Sequence, residues 1–365
     1  MPLVTARFRA LTGTSGTIDT MLRDKNVIRD VEELEQALSE PTEALIRSLA
    51  QLEGDIIILG VGGKMGPSLA HMARRASDLS GTKRRVIGVS RFSASTLESQ
   101  LRSWGVETIR CDLLNRAELS HLPDVPNVVY MAGRKFGSLG NESLTWAMNS
   151  FLPGLVSEKY AHSRIVAFST GNVYGLSPVS HGGSREGDLP NPLGEYAMSC
   201  LGRERIFEHF SHSNDTKMAI IRLNYAAELR YGVLLDVAIR GFTHRPVPLS
   251  MGYLNVIWQG DASAMSLQAF GNVSVPPNIL NISGPELLSV RRVAEGFGER
   301  FHEAILFEGT ESDDALLSNA QKAFELFGRP RIDAERLMDW IADWVSRDGS
   351  TLAKPTHFEE RAGRF

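Results

Sequence analysis

Short runs of aliphatic and β-branched residues alternate with helix-length segments from residue 55 onward. In chain order, these runs are DIIILG, RRVIGVS, VETIRCDL, NVVYMAG, RIVAFST and KMAIIRLN. Alternation of this kind predicts βαβ units, in which parallel strands form one sheet that helices cover on both faces. The expected fold class is therefore α/β, with a doubly wound parallel sheet.

The segments on either side of this alternation predict two further parts. Residues 1–53 contain the helical patterns VEELEQALSE and TEALIRSLAQL, so we expect an N-terminal helical extension that serves packing or a dimer contact. Residues 226–365 mix helical patterns with short strands such as NILNIS. We expect residues 54–225 to form the sheet, and most of 226–365 to form a smaller lobe that caps its carboxyl edge, with some segments interleaved.

Composition excludes several classes of protein. The chain has 365 residues, 42% hydrophobic and 22% charged, with a net charge of −4, as in ordinary globular proteins. A net charge this close to zero does not indicate binding to nucleic acid or to an anionic membrane. We find no signal-peptide core and no apolar stretch long enough to span a membrane. Cys111 and Cys200 are too few for a disulfide framework, and the nine histidines lack metal-ligand spacing. We expect a cytoplasmic protein that acts on a small molecule without a catalytic metal.

A glycine-rich loop follows the first predicted strand in DIIILGVGGKMGPSL. Gly60, Gly63 and Gly66 let the backbone turn sharply and approach a diphosphate at the start of a helix near Met65, which predicts a dinucleotide site. We expect Lys64 and Met65 to share in this contact.

The second predicted strand ends in Ser90 and Arg91, where an NAD site would carry a carboxylate for the ribose hydroxyl. A hydroxyl and a guanidinium suit a 2′-phosphate, so NADP is favoured and NAD stays open. Asp112 and Leu113, at the end of the third strand, are expected to flank the adenine.

A more specific pattern lies farther along the chain. RIVAFSTGNVYG spans residues 164–175, Glu186, Pro190 and Pro192 follow, and GEYAMSCLGRE opens a helix near Tyr196. Together with the glycine loop, this pattern resembles the extended short-chain dehydrogenase/reductase family, also called the NAD-dependent epimerase/dehydratase family, over roughly residues 54–345. The resemblance implies a Rossmann-type sheet with a smaller C-terminal substrate lobe, hydride transfer at a carbinol or ketone carbon, and a homodimer.

The resemblance also implies roles for individual residues. Thr170 would hydrogen-bond the reacting oxygen, and Tyr196 would exchange a proton with the same oxygen. Asn149 would orient the site from the helix after the fourth strand. Ala132 and Gly133 would pass their backbone over the cofactor.

One residue departs from the family pattern. Four residues after Tyr196 the family usually carries a lysine, which holds the nicotinamide ribose and stabilises the tyrosinate; here Cys200 stands in its place. Three alternatives stay open. The first is that another cation substitutes, with Lys135 favoured over Arg203 because Arg203 lies about 10 Å farther along the helix. The second is that Tyr196 acts only as a proton donor that starts protonated, which suits ketone reduction. The third is that the protein binds NADP without turnover.

The same pattern narrows the substrate. Dehydratases of the family carry Asp-Glu where Gly171 and Asn172 stand, so this chain lacks their acid and base. Leu254 occupies the position of an arginine that grips the diphosphate of nucleotide sugars. The polar residues expected to face substrate, besides Thr170, Gly171 and Asn172, are His181, Asn224, Arg230, Tyr231, Asn255 and Trp258.

These features predict an NADP-preferring oxidoreductase of carbohydrate metabolism that acts on a sugar-like or acidic small molecule. Two alternatives stay open. One is an epimerase that works through a transient ketone, and the other is a non-catalytic NADP-binding regulatory protein.

Overall fold

The computed structural model describes residues 22, 25–93, 95–135, 137 and 140–364, so the first 21 residues of the predicted N-terminal extension lie outside it. The strands are β1 Ile56–Leu59, β2 Val86–Ser90, β3 Glu107–Arg110, β4 Asn127–Tyr130, β5 Arg164–Thr170, β6 Ser177–Pro178, β7 Met218–Leu223, β8 Ala226–Ala227, β9 Val247–Pro248, β10 Tyr253–Leu254, β11 Ile257–Trp258, β12 Asn278–Ile282, β13 Leu288–Ser289, β14 Phe307–Glu308 and β15 Asp314–Ala315. Seven of them form one parallel sheet, in the order β3, β2, β1, β4, β5, β7, β12.

The helices alternate with these strands as the sequence predicts. They are α1 Val31–Leu38, α2 Glu43–Gln51, α3 Gly66–Leu79, α4 Ser95–Ser103, α5 Arg116–Ser120, α6 Glu142–Trp146, α7 Leu152–Lys159, α8 Gly194–Asn214, α9 Val233–Phe242, α10 Gln259–Gln268, α11 Val290–Phe301, α12 Gln321–Phe327 and α13 Ala334–Ser346. A π-helical turn, Ala147–Phe151, joins α6 to α7.

The centre of the sheet is buried on both faces. All four residues of β1 are buried, and Ile56 pairs with Val86 of β2 on one side and with Asn127 of β4 on the other. A continuous aliphatic strand of this kind is stable only where helices cover both faces of the sheet. The fold class is therefore the doubly wound, Rossmann-type sheet expected from the alternation.

One strand of the region expected to form mainly the capping lobe belongs to the main sheet. The sequence NILNIS contains β12 (Asn278–Ile282), which pairs in parallel with β7 as the edge strand of that sheet. The last three residues of β12 are buried. The chain therefore returns from the lobe and adds an edge strand to the sheet. Helix α10, all of whose residues are buried, also packs on this sheet, against α2 and α3.

The N-terminal helices divide between the two apolar cores. Leu34 and Leu38 of α1 share a core with Trp258 and Trp340, which belongs to the smaller lobe. Leu49 of α2 lies in the core of the large sheet instead. The two helices therefore connect the sheet to the lobe.

Two further observations concern the whole of the described chain. None of its helices is long and apolar enough to cross a membrane. Within the same residues, no group of three or more His, Cys, Asp or Glu side chains is placed to hold a metal ion.

Candidate active site

A cavity of about 310 Å³ lies at the carboxyl ends of the central strands. Its walls come from the glycine loop after β1, the segments after β4, β5 and β7, helix α8 and the C-terminal tail. This is the edge at which open parallel sheets bind ligands. The predicted residues that line it are Gly60, Gly63, Lys64, Met65, Gly66, Gly133, Lys135, Thr170, Asn172, Tyr196, Asn224 and Tyr231.

The glycine loop approaches neighbouring backbone closely. Gly60 has a φ of +91°, and a Cβ there would lie 2.6 Å from the backbone nitrogen of Ala132. A Cβ on Gly66 would collide with the carbonyl of Val61. At Gly63 a Cβ would meet only the Gly60 carbonyl, at 3.5 Å, so this glycine leaves open space in front of α3. These features fit a dinucleotide diphosphate, which needs bare backbone at a helix start.

The residues expected at the adenosine end lie beside this loop but outside the cavity. The Ser90 hydroxyl borders Gly62, where an added Cβ would lie 2.5 Å from it, and Arg91 is exposed. The Asp112 side chain accepts a hydrogen bond from the backbone of Leu114 at 3.1 Å, and Leu113 is buried. The end of β2 thus presents a hydroxyl and a cation.

Two hydroxyl groups meet on the cavity wall. Thr170, the last residue of β5, donates a hydrogen bond to Oδ1 of Asn172 at 2.8 Å and accepts one from its backbone N–H at 3.2 Å. Tyr196 is the third residue of α8, and it lines the same cavity wall, where both Thr170 and Cys200 act on the pKa of its phenol. The predicted pair of Thr170 and Tyr196 is therefore brought together.

The environment keeps the Tyr196 phenol neutral. Burial raises the pKa of Tyr196 above its ordinary value, and Cys200 raises it further, while Arg203 and Thr170 lower it. Burial likewise raises the pKa of the Cys200 thiol, which is fully buried. At neutral pH the group available at Tyr196 is therefore a proton donor, with a neutral thiol beside it.

Arg203 reaches the site despite its position along the helix. Its side chain is 6% exposed, its Nη1 donates to the Phe168 carbonyl at 2.7 Å, and its Nη2 donates to Oδ1 of Asn149 at 2.8 Å. Seven residues make almost two full turns, so Arg203 and Tyr196 share a face, and side chains on a helix lean toward its N-terminus. Lys135 was favoured over Arg203 because of the rise along the helix between the backbones of Tyr196 and Arg203. That distance leaves out the length of the arginine side chain, which reaches back to the cavity.

Asn149 lies under the cavity wall and not on it. It is fully buried in the π-helical turn, and its Oδ1 accepts from the backbone N–H of Arg134 at 2.8 Å. Its Nδ2 donates to the Arg134 carbonyl and to Oγ of Ser199, both at 2.9 Å. All its hydrogen bonds fix protein groups, so it is a positioning residue for the segment after β4.

Two lysines reach into the cavity. The Lys135 ammonium lies 5.6 Å from the centroid of the Tyr196 ring, and burial lowers the pKa of Lys135 to about 8. Lys64 turns its side chain across the cavity, where Nζ donates to the Ala226 carbonyl at 3.2 Å and lies 3.9 Å from the centroid of the Tyr231 ring. The loop lysine thus lies against the segment after β7.

Several residues predicted to face substrate are placed elsewhere. Trp258 is fully buried and packs edge-on against Trp340, with ring centroids 5.4 Å apart. Arg230 forms ion pairs with Glu35 at 2.7 Å and Glu228 at 3.2 Å. Neither residue lines the cavity, because each is engaged in holding the smaller lobe together.

Three further members of that prediction also lie outside the cavity lining. His181 is exposed at the end of a short 3₁₀ turn, and Asn255 accepts a hydrogen bond from the backbone of Ser318 at 2.9 Å. Gly171 is packed tightly, since a Cβ there would lie 2.8 Å from the Ser318 hydroxyl. Of the residues predicted to face substrate, Thr170, Asn172, Asn224 and Tyr231 do line the cavity.

Thr356 and Tyr225 are among the cavity residues for which no sequence signal was found. Thr356, in the C-terminal tail, lines the cavity and donates from both its backbone N–H and its hydroxyl to Oδ2 of Asp236, at 2.7 and 2.5 Å. Tyr225 lines it with a φ of +44°, in the left-handed region that tyrosine rarely adopts. Only the spacing of Arg203 from Tyr196 could have been read in advance, as a shared helical face.

Comparison with known proteins supports the fold and the glycine loop. The model of the NAD dependent epimerase/dehydratase family matches residues 56–227. Among solved structures, UDP-glucuronic acid 4-epimerase from Bacillus cereus, in complex with UDP-4-deoxy-4-fluoro-glucuronic acid and NAD, is 17% identical, with a TM-score of 0.67 over 80% of this chain and 99% of that one.

Two further structures have the same fold. dTDP-glucose 4,6-dehydratase from Bacillus anthracis, in complex with NAD, is 16% identical, with a TM-score of 0.68 over 81% of this chain and 97% of that one. UDP-glucose 4-epimerase from Thermotoga maritima, with UDP-glucose, is 17% identical, with a TM-score of 0.65 over 80% and 99%. No curated protein matches the chain by sequence. Through residues 56–227, the chain carries a domain of the NAD dependent epimerase/dehydratase family.

Proposed function

We propose that this protein is an NAD(P)-dependent oxidoreductase that reduces a carbonyl group of a polar, sugar-like small molecule, or oxidises the corresponding hydroxyl. The observation that carries the proposal is that Thr170 and Tyr196 line the same cavity as the glycine loop. When bound, the nicotinamide cofactor supplies or accepts a hydride.

The residues of the chain handle the proton. Tyr196 is neutral at neutral pH, so it donates its proton to the carbonyl oxygen as that oxygen gains negative charge. Thr170 holds the same oxygen by a hydrogen bond. The Arg203 guanidinium stabilises the tyrosinate until solvent returns the proton, because it lowers the pKa of Tyr196 against the effect of burial. This arrangement favours reduction, in which the phenol starts protonated.

The cofactor is proposed to be NADP, with NAD as the alternative. Ser90 and Arg91 at the end of β2 support a 2′-phosphate, since a hydroxyl and an exposed guanidinium both donate to it. The two Bacillus structures named above were solved with NAD. Affinities of the purified protein for NADPH and NADH, measured side by side, decide between the two cofactors.

The substrate is proposed to lack a nucleotide. The resemblance places an arginine that binds the diphosphate of nucleotide sugars at the position of Leu254. Leu254 is fully buried in the smaller lobe and carries no charge that could bind a diphosphate. Cys111 and Cys200 are both free, which supports a cytoplasmic location. A homodimer stays a prediction.

The central test is Tyr196→Phe. We expect the variant to retain NADPH binding and to lose at least about a hundredfold in turnover, since a positioned acid contributes about 10²–10⁴. Wild type and variant are assayed for NADPH oxidation against a panel of ketoses, keto acids and lactones. Tyr253→Phe, outside the cavity lining, is the matched control.

The outcomes separate the alternatives. Net NADPH consumption by the wild type supports the reductase, whereas isomer formation with the cofactor retained identifies an epimerase. Cofactor binding with neither product identifies a regulatory protein. Unchanged turnover of Tyr196→Phe removes the phenol from the mechanism.

A further inference from the structure

The charged residues that line the cavity are all cations. They are Lys64, Arg134, Lys135 and Arg203, and no Asp or Glu belongs to the lining in the described part of the chain. A concave site with charges of one sign attracts ligands of the other sign and focuses their approach. The cavity is therefore suited to an anionic occupant.

Lys64 is the cation on the substrate side. Its side chain leaves the glycine loop, and its Nζ lies against Ala226 and over the ring of Tyr231, both of which follow β7. The carboxylate with the strongest effect on it is Glu228, which accepts hydrogen bonds from the backbone N–H of Arg230 at 2.9 Å and from its Nε at 3.2 Å. The ammonium of Lys64 therefore contacts a backbone carbonyl and an aromatic ring. The carboxylate that acts most strongly on it, Glu228, is shared with Arg230.

The position of Lys64 separates it from the diphosphate cradle. The cradle is the bare backbone at Gly63 and the start of α3, whereas the ammonium lies 3.2 Å from a carbonyl of β8. Lys135 lies over Tyr196 on the same cavity and also acts electrostatically on Lys64. A small molecule between Tyr196 and Tyr231 would meet the proton donor at one end and Lys64 at the other.

We propose that Lys64 is a specificity-determining residue that binds the carboxylate of a small hydroxy or oxo acid, such as a sugar acid, while the reacting oxygen of that acid lies at Thr170 and Tyr196. This inference rests on the proposed function for the position of the reacting oxygen. The binding of the acid by Lys64 can be measured without turnover.

The protonation of Lys64 adds a pH dependence. Burial lowers the pKa of Lys64 to about 7. The carboxylates of Glu228 and Asp236 raise this pKa, whereas the cations Arg230 and Lys135 lower it. A bound carboxylate favours the ammonium, so binding takes up a proton where free Lys64 is partly neutral. Affinity for the acid is therefore highest below about pH 7 and falls as the pH rises above it.

The test compares acids with neutral molecules of the same size. D-gluconate, D-glucuronate and D-galacturonate are paired with D-glucitol, D-glucose and D-galactose, and their binding to NADP-saturated protein is measured by calorimetry. We expect at least one acid to bind about tenfold more tightly than its neutral partner, and Lys64→Met to abolish this preference. Lys64→Arg, which keeps the cation, and Lys217→Met, an exposed lysine, should retain it.

Three results would overturn the inference. They are no preference for any acid, a preference that survives Lys64→Met, or a loss of NADPH affinity in Lys64→Met as large as the loss for the acid, which would assign the lysine to the cofactor. A preference that does not weaken between about pH 6 and pH 9 would also count against Lys64 as its source.

Failure of the inference is distinguishable from failure of the proposed function. If neutral sugars are reduced and no acid is preferred, the oxidoreductase stands and the role of Lys64 fails. If acids bind through Lys64 without any cofactor turnover, the role of Lys64 stands and the oxidoreductase fails.

Discussion

Two arginines are buried at the same edge of the sheet in opposite electrostatic settings. Arg222 of β7 pairs with Glu204 of α8 at 2.6 Å, and both side chains are 2% exposed. Arg203, adjacent to Glu204 on the helix, donates to the Phe168 carbonyl and to Oδ1 of Asn149, which are neutral acceptors. One guanidinium is balanced by a carboxylate and the other is not.

The difference separates a structural charge from one that acts on the cavity. Neither Glu204 nor Arg222 lines the cavity, and Ser169 donates a further hydrogen bond to Glu204 at 2.5 Å. Arg203 lines the cavity, and its charge lowers the pKa of Tyr196. Hydrogen bonds to neutral acceptors hold the buried Arg203 guanidinium in place without cancelling its electric field. The guanidinium can therefore act on the neighbouring Tyr196 phenol.

Removing the balanced charge should have the largest effect. Glu204→Gln leaves Arg222 buried without its counter-charge, so we expect the free energy of unfolding to fall by about 3–5 kcal/mol. Glu208→Gln, which breaks an exposed ion pair with Arg205 on the same helix, is the control and should cost less than about 1 kcal/mol. Urea denaturation of both variants measures the difference, and equal losses would show that the buried pair contributes no more than a surface pair.

Removing the unbalanced charge should affect turnover more than stability. Arg203→Met deprives the tyrosinate of its cation, so we expect reductive turnover to fall by about tenfold to a hundredfold, while the lost hydrogen bonds cost about 1–2 kcal/mol of stability. Arg203→Lys keeps the charge with fewer hydrogen bonds and should recover part of the turnover.

The pH profile tells the electrostatic role from a structural one. If Arg203 acts through its charge, the pKa of Tyr196 rises in Arg203→Met and stays closer to the wild-type value in Arg203→Lys. Equal loss of turnover in both variants, with the pH profile unmoved, would reduce Arg203 to a packing residue.

The sequence predicted the sheet because each central strand is a continuous aliphatic run, which can be buried in only a few ways. It also predicted that Thr170 and Tyr196 would meet, since both follow from a family pattern of fixed spacing. The sequence did not indicate which segment of residues 226–365 joins the sheet, because a five-residue strand such as β12 carries no mark of the sheet it joins. β12 pairs with β7, where Ala219 lies 59 residues before its partner Asn278, and no local pattern encodes that distance.

The rest of the site depends on side-chain direction and on the path of the tail. The sequence gives the rise between Tyr196 and Arg203 but not the length over which an arginine reaches back along its helix. It places Lys64 in the glycine loop, yet the structure turns the ammonium away toward Ala226. Thr356 reaches the cavity only because the tail docks on Asp236 of α9.

The smallest effect is expected where the family pattern is restored, by Cys200→Lys. Cys200 is fully buried beside Arg203 and is influenced by Lys135, so a new ammonium there would face two cations and lose its proton readily. Because Arg203 already serves the tyrosinate, we expect oxidative turnover at neutral pH to rise by no more than about threefold. Cys200→Met adds comparable bulk without charge and corrects for overpacking. A rise of about tenfold or more in Cys200→Lys alone, concentrated at neutral pH in the oxidative direction, would show instead that the unbalanced arginine is an incomplete substitute and that the natural site is impaired for lack of the lysine.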